Sequence, residues 1–408
     1  MKKYYLKSNS AEIPSVEVDS VELKCLLVSR GVKAAGDFYS QFSDKYRLNA
    51  NPLTCNCMIL PDGTIAQLTD VSFHLRYLTG VLKWSNLKLL KYAARLGTPF
   101  SLVSDGGKPA LLYGNEFVAH VSFPAKTDFY SRKTSSGRPF IGNAVIQGYD
   151  WVAYQCLWPC EYAAKGKPCE YCFSGAEFET LAKKNKPLPD AFPAADAAEI
   201  AAYAVKNAGV TGAQLTGGST FDGKAEAEHI RKYLEAFRAD GDIKLPCGVL
   251  LYITPPEDFG YIGEYFSLGA EKIACSLEVW DTERAKVITP GKIFYTTREK
   301  YLKALEYTAE KYGANKAFSN FIIGLEETDT LFEGAEYLAQ RGIIPSASVW
   351  MPMGRPVMGS MAAPDADYYR RVKEKFAELY VKYGLDPAGC RGLNVCIERD
   401  IRRYANGE

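Results

Sequence analysis

Four of the chain's eleven cysteines fall in one short stretch: Cys156, Cys160, Cys169 and Cys172. Three residues separate the first pair, eight the second and two the last. Thiolates this close in sequence reach one centre at small entropic cost, because the loops to be closed are short. Soft thiolates select zinc, copper(I) or an iron–sulfur cluster. The stretch therefore reads as a metal centre, with all four cysteines as candidate ligands. Cys55 and Cys57 alternate as strand residues do and could form half of another site, but buried structural thiols are the simpler reading. His74, His120 and His229 are the only histidines, and each is scattered enough to be structural.

From residue 141 on, short apolar runs alternate with amphipathic stretches. The runs cover 144–154, 212–215, 248–253, 272–277, 317–323 and 344–350. Helical patterns cover 194–207, 225–238, 256–268, 297–312, 330–340 and 365–383. The repeat is about 30 residues, the size of a βαβ unit. Near-continuous apolar strands suit a parallel sheet covered on both faces. Six such units predict an α/β fold, a partial (β/α)6 TIM-like barrel, with a doubly wound open sheet as the alternative. In either case chemistry belongs at the C-terminal ends of the strands. The domain boundaries expected are an N-terminal α+β accessory domain over 1–140, the barrel over 141–360 and a C-terminal helical extension over 361–408. Within the first of these, 21–29 reads as a strand and 85–96 as a helix. Pro61-Asp62-Gly63 and Asp105-Gly106-Gly107 read as hairpin turns. Residues 126–142 read as a linker.

The strand ends carry polar residues and glycines. The cysteine stretch follows the first run. The second ends in Thr216-Gly217-Gly218-Ser219, where paired glycines let backbone approach a ligand closely. The fourth ends in Ser276-Leu277-Glu278; residues two apart share a strand face, so a hydroxyl and a carboxylate point together, a pair suited to a ribose diol or an ammonium group. The fifth ends in Gly324-Leu325-Glu326-Glu327. The sixth ends in Trp350, followed by a proline-stiffened apolar loop able to cover a flat ring. Taken singly each is ambiguous; their placement on successive strand ends is what carries weight.

Composition narrows the class. Hydrophobic residues make up 47% and charged residues 24%, which is ordinary for a globular protein. A net charge of +1 gives no electrostatic case for nucleic acid or an anionic membrane. No apolar run reaches the roughly 18 residues of a spanning helix, and the N-terminus has no apolar signal core. The expected location is cytoplasmic and reducing, where cysteines act as thiols or metal ligands before disulfides.

Residues 140–360 resemble the radical S-adenosylmethionine superfamily. The resemblance rests on Cys169-Glu170-Tyr171-Cys172, which matches the end of the family's Cys-x3-Cys-x2-Cys signature with its aromatic before the last cysteine. Thr216–Ser219 resembles the Gly-Gly-Glu segment that holds the methionyl amino group, with Ser219 in place of the acid. Ser276 and Glu278 resemble the ribose-binding position, closest to the biotin-synthase-like branch, and residues 321–327 resemble the segment beside the adenine. The spacing departs from the pattern: Ala163 stands where the third cysteine would fall, and a loop holding Lys165 and Lys167 is inserted. The resemblance implies a [4Fe–4S] cluster on three cysteines, Cys169, Cys172 and either Cys156, preferred for its position just after the strand, or Cys160, with closer spacing; the remaining iron corner is open to S-adenosylmethionine. It implies Thr216, Gly217, Gly218, Ser219, Ser276, Glu278, Gly324 and Trp350 as cofactor-binding residues. Arg284, Lys292 and Arg355 are candidates for the cofactor's carboxylate. The implied activity is reductive cleavage to a 5′-deoxyadenosyl radical that abstracts hydrogen from a small organic substrate, in an anaerobic setting. The implied electron source is a reductant such as flavodoxin or ferredoxin. Cys390 and Cys396 could join an auxiliary cluster, though buried thiols are the simpler reading.

Two other classes compete. Four thiolates at Cys156, Cys160, Cys169 and Cys172 would make a structural zinc site. An iron–sulfur electron carrier would need the cluster but no nucleoside pocket.

Overall fold

The computed structural model describes residues 1–7, 14–48, 56–70, 97–157, 160–172, 181, 184–185, 192–351, 361–387 and 393–408. Strand β1 (Lys3–Leu6) pairs antiparallel with β2 (Val16–Asp19). Asp19 then caps helix α1 (Ser20–Arg30): its carboxylate accepts from the Val21 and Glu22 amides, and the Glu22 carboxylate accepts from the Asp19 amide. The stretch 21–29, rich in Val and Leu, is thus helix rather than strand. The capping box closes the first turn, and Ser20 to Ser29 are all buried, so no polar face marks the helical period in the sequence. After β3 (Lys33–Ala34) and α2 (Phe38–Phe42) come two hairpins. β4 (Cys57–Ile59) and β5 (Ile65–Gln67) turn at Gly63, whose φ is 87°. β6 (Phe100–Asp105) and β7 (Lys108–Tyr113) turn at Gly106-Gly107, and β8 (Glu116–His120) extends them into a sheet ordered β3-β6-β7-β8. Residues 126–142 include a 3-10 turn, Phe129–Ser131, and bury Phe129 and Phe140. The helix expected over 85–96, together with Cys55, His74, Arg355 and Cys390, lies outside the described residues.

The larger sheet is ordered β15-β14-β13-β12-β11-β10-β9. Its members are β9 (Ala144–Gln147), β10 (Trp151–Leu157), β11 (Gly212–Gly217), β12 (Val249–Tyr252), β13 (Ala270–Ala274), β14 (Ala317–Ile323) and β15 (Ile344–Val349). Strands β10 to β15 are parallel, and β9 runs antiparallel on the β10 edge. The run 144–154, expected as one strand, is a hairpin folded at Gly148, where φ is 57°. Helices connect the parallel strands: α3 (Glu161–Ala164), α4 (Ala194–Ala208), α5 (Gly223–Ala239), α6 (Gly260–Ser267), α7 (Thr282–Ile288), α8 (Arg298–Tyr312) and α9 (Thr328–Ala339). No helix among the described residues is long and apolar enough to cross a membrane.

The sheet curls. Trp151 from the first parallel strand and Ile344 from the last share one apolar cluster with Leu250, Ala274, Phe318 and Leu393. This cluster across the parallel strands, with one cavity lined from β11 through β15 at their other ends, fits a half-barrel whose floor is packed. Helix α10 (Ala366–Lys382) packs outside it against α1 and α9, and α11 (Glu398–Ala405) against α10. Between these last helices the chain runs back along the open edge. The Val349 amide donates to the Val395 carbonyl at 2.9 Å, and Ile397 donates to Ala347 at 2.9 Å, so 395–397 adds an antiparallel strip to β15. Asn394 joins this strip to β5, with its carbonyl accepting from the Gln67 amide at 2.8 Å and its amide donating to Gln67 Oε1 at 2.8 Å; its Oδ1 accepts from the Gly148 amide.

Candidate functional site

The cysteine stretch begins inside β10 rather than after it. The pairing with β11 slips between Gln155 and Leu157, leaving Cys156 at a bulge. Cys156 is fully buried; its thiol donates to the Thr216 carbonyl at 3.3 Å, and its own carbonyl accepts from His229 Nε2 at 2.6 Å. Cys160 opens α3. The loop from Cys160 to Cys172 is held on two sides. On one, the Glu161 amide donates to the Ser219 carbonyl at 2.7 Å, and the Glu161 carboxylate accepts from the Phe221 amide. On the other, the Glu170 amide donates to the Ile288 carbonyl at 2.8 Å, and Tyr162 bonds the Thr296 hydroxyl.

This clamping brings Cys160, Cys169 and Cys172 to one cavity of about 340 Å³ at the C-terminal ends of the strands. Thr216, Gly217, Gly218 and Ser219 line the same cavity, as do Ser276, Glu278, Lys292, Asn320 and Trp350. A β-carbon on Gly218 would lie 2.5 Å from both the backbone nitrogen and the Cα of Cys160, so only glycine permits the approach of β11 to the cysteine loop. Burial holds the Cys169 thiol well above its usual range; Lys292 acts against this, while Cys172, Glu278 and Cys160 add to it.

A polar chain crosses the cavity. Lys292 Nζ stands 2.9 Å from Glu278 Oε1, and Asn320 Nδ2 donates to Glu278 Oε2 at 2.9 Å. Ser348 then donates to Asn320 Oδ1 at 2.7 Å and lies 3.2 Å from Cys396 Sγ. Burial pulls the Lys292 ammonium down, but the charges of Glu278 and Cys169 outweigh it and leave it raised. Glu278 adopts φ 71°, in the left-handed region, and still exchanges backbone bonds with β14: its amide donates to Asn320 and its carbonyl accepts from Ile322, each at 2.9 Å. That strain at a non-glycine residue aims the carboxylate into the mouth.

Not every expected residue arrives here. Gly324, with φ 102°, packs against Pro364 and donates its amide to the Tyr368 hydroxyl at 2.9 Å; it does not line the cavity. Arg284 is turned to the Leu325 carbonyl at 2.7 Å, and Lys167 covers the Phe294 ring. Asn320, Tyr252, Tyr301 and Ser348 line the cavity without having been singled out in the sequence. Asn320 did leave a trace, since Ser319-Asn320 interrupts an otherwise apolar buried strand.

No protein-family model matches the chain. Over 263 residues it is 28% identical to bacteriochlorophyllide c C-7(1)-hydroxylase of Chlorobaculum limnaeum, a match covering 62% of this chain and 65% of that protein's length. That similarity joins the half-barrel and the cysteines gathered at its mouth. The match is to an enzyme; the likeness to the radical S-adenosylmethionine superfamily rests on the chain's own motifs and half-barrel. Among solved structures, a radical SAM methyltransferase from Sphaerobacter thermophilus aligns over 76% of this chain and 84% of its own, at 15% identity and a TM-score of 0.38, too loose a likeness to argue from.

The three cavity cysteines fit a cubane cluster in kind and number. Among the described residues no three metal-binding side chains converge on a single point. A cube asks for something else: each thiolate binds its own iron corner, so the three stand apart around a common space. A zinc site of four thiolates would need Cys156 to join them, and its thiol is inside the sheet on the Thr216 carbonyl.

Proposed function

We propose that this chain is a radical S-adenosylmethionine enzyme that holds a [4Fe–4S] cluster on Cys160, Cys169 and Cys172, and S-adenosylmethionine along Thr216–Ser219 and beside Ser276 and Glu278. The observation that carries this is the sharing of one strand-end cavity by the three thiols, the Gly217-Gly218 turn and the Glu278–Lys292 pair. Cluster and cofactor together would supply radical chemistry for hydrogen abstraction. The chain's own residues hold and shield. Backbone groups at 216–219 accept and donate to the polar end of a ligand. Glu278, kept in place by Lys292 and Asn320, offers a carboxylate to hydroxyls or an ammonium. Ile322, Val349 and Trp350 supply an apolar wall that excludes water from the reacting carbon. Gly324 has a supporting place at the turn after β14. The likeness to a hydroxylase supports a reaction at a carbon of an organic substrate. A reductant such as flavodoxin or ferredoxin would provide the electron.

Anaerobic reconstitution tests the reading. A brown protein with about four irons per chain is expected, releasing 5′-deoxyadenosine once reduced with S-adenosylmethionine present. Cys160→Ala, Cys169→Ala and Cys172→Ala should each lose iron and this release, whereas Cys156→Ala should keep both. A colourless protein with tightly held zinc would overturn the proposal. Retention of iron in Cys160→Ala with loss in Cys156→Ala would overturn the ligand set.

A further inference from the structure

The cysteine loop borders an exposed aromatic face. Phe294, in a turn of π-helix (Lys292–Thr296), is 65% exposed, and Phe221 is 40% exposed. Tyr295 joins them, its ring 4.8 Å from Phe294 and 5.0 Å from Phe221. Lys167 holds its ammonium 4.6 Å from the centre of the Phe294 ring, and the Tyr295 hydroxyl donates to the Lys165 carbonyl at 3.4 Å. Lys165 is exposed, and among the described residues neither lysine is paired with a carboxylate. Little protein lies behind this face. The Tyr295 ring stacks on Tyr162 at 6.1 Å with 10° between their planes, and Tyr162 lines the cavity that Cys160, Cys169 and Cys172 share. A β-carbon on Gly291 would lie 2.5 Å from the Lys167 carbonyl oxygen and 2.6 Å from Tyr162 Cβ, so only glycine lets the π-helical turn close on the cysteine loop.

A large apolar ring left in water beside unpaired positive charge has the make-up of a small interface, an aromatic anchor with a polar rim. Transient electron-transfer encounters are among the smallest interfaces, which suits a face of this size. A second copy docked by the same face would set Lys165 and Lys167 against their own equals across a two-fold axis, which is repulsive. An acidic partner meets both lysines with opposite charge. We propose that this face docks an acidic one-electron carrier protein, with Phe294 as the anchor, Lys165 and Lys167 as the charged rim, and Tyr295 and Tyr162 as the layer between the carrier and the cysteine cavity. One electron leaves the carrier's reduced centre and is taken up at the cysteine centre; no bond is made or broken, and the carrier ends oxidised by one electron. That electron route rests on the function proposed above; the docking of an acidic carrier does not.

The test measures binding of an acidic flavodoxin and, separately, an acidic ferredoxin, both oxidised, to the full chain by calorimetry. At least one should bind, more weakly as salt is added. The double variant Lys165→Glu, Lys167→Glu should weaken binding by about tenfold or more, and Phe294→Ala by about threefold or more. Thermal melts should change little, because these side chains lie at the surface. In reconstituted protein, stopped-flow reduction by the reduced carrier should slow in both variants while reduction by dithionite keeps its rate. Binding of neither carrier, or unchanged affinity in the charge-reversed variant, would overturn the face. Equal slowing with dithionite would place the effect in the cysteine loop and overturn the docking role. Self-association of wild type that is lost in Phe294→Ala would assign the face to a second copy and overturn it as well. Binding of oxidised carriers is read without iron, so docking can stand where no reducible cluster forms, and a reducible cluster can stand where docking fails.

Discussion

Gly218 has no room for a side chain, because the Cys160 backbone lies where its β-carbon would be. Gly218→Ala should therefore push the cysteine loop off β11, costing about 1–3 kcal/mol in urea unfolding and lowering the iron retained after reconstitution. Lys292 and Glu278 are a mostly buried pair, with side chains 13% and 11% exposed. Lys292→Met leaves the buried carboxylate without its cation, and a loss of about 3–5 kcal/mol in stability is expected. Glu226 predicts a pH dependence of definite sign. Its carboxyl ionises at about 4.3 in the unfolded chain but only near 8 in the fold. Over that window the unfolded chain has given up the proton and the native one has not, so its contribution is fully present below the lower value and fades as pH rises. The stability difference between Glu226→Gln and wild type should accordingly shift toward the variant from about pH 5 to pH 8. These residues differ in how far the sequence disclosed them. Paired glycines and Ser276-x-Glu278 stood at run ends and were readable. Glu226 lies on an amphipathic helix like any surface acid, and only the tertiary packing buries it.

The elements divide along the same line. Local periodicity sufficed for the six parallel strands and the longer helices between them, because each carries its own burial pattern, whereas the short helices Glu161–Ala164 and Thr282–Ile288 left no such pattern. The β9–β10 hairpin was hidden, since Gly148-Tyr149-Asp150 is a short break in an apolar run and the turn could be told only from the pairing. The bulge at Cys156 was hidden too: cysteine spacing says which thiols can meet, not which one a slipped register turns into the sheet. The strip at 395–397 had no local signature, because its partners lie on β15, with Asn394 reaching β5 and the Gly148 turn. Asn394→Ala would strip the donor to Gln67 Oε1 and the acceptor for the Gly148 amide, both buried. It should cost about 1–3 kcal/mol, measured by chemical denaturation, and raise hydrogen exchange at the Gly148 amide.

At the scale of the molecule, the segments before and after the half-barrel are joined to each other as well as to it. Lys24 of α1 is fully buried and donates to Asp400 Oδ2 at 2.6 Å and to the Leu393 and Cys396 carbonyls, each at 2.7 Å. Lys373 of α10 reaches Glu22 at 2.7 Å and the Asp19 cap. The same apolar core runs from Leu6 and Leu27 through Val152 to Tyr380. Lys24→Met should cost about 3–5 kcal/mol and loosen the strip along β15 with it, read as faster amide exchange at Val349 and Ile397. Trp350 adds an optical consequence. Its ring is 3% exposed on the cavity wall, and its indole N–H has no partner. An indole so placed emits as in a dry solvent, and any chromophore or dipole that arrives beside it must change the colour or yield of that light. Filling the mouth should thus be visible as quenching of intrinsic emission, and Trp350→Phe should shrink that response.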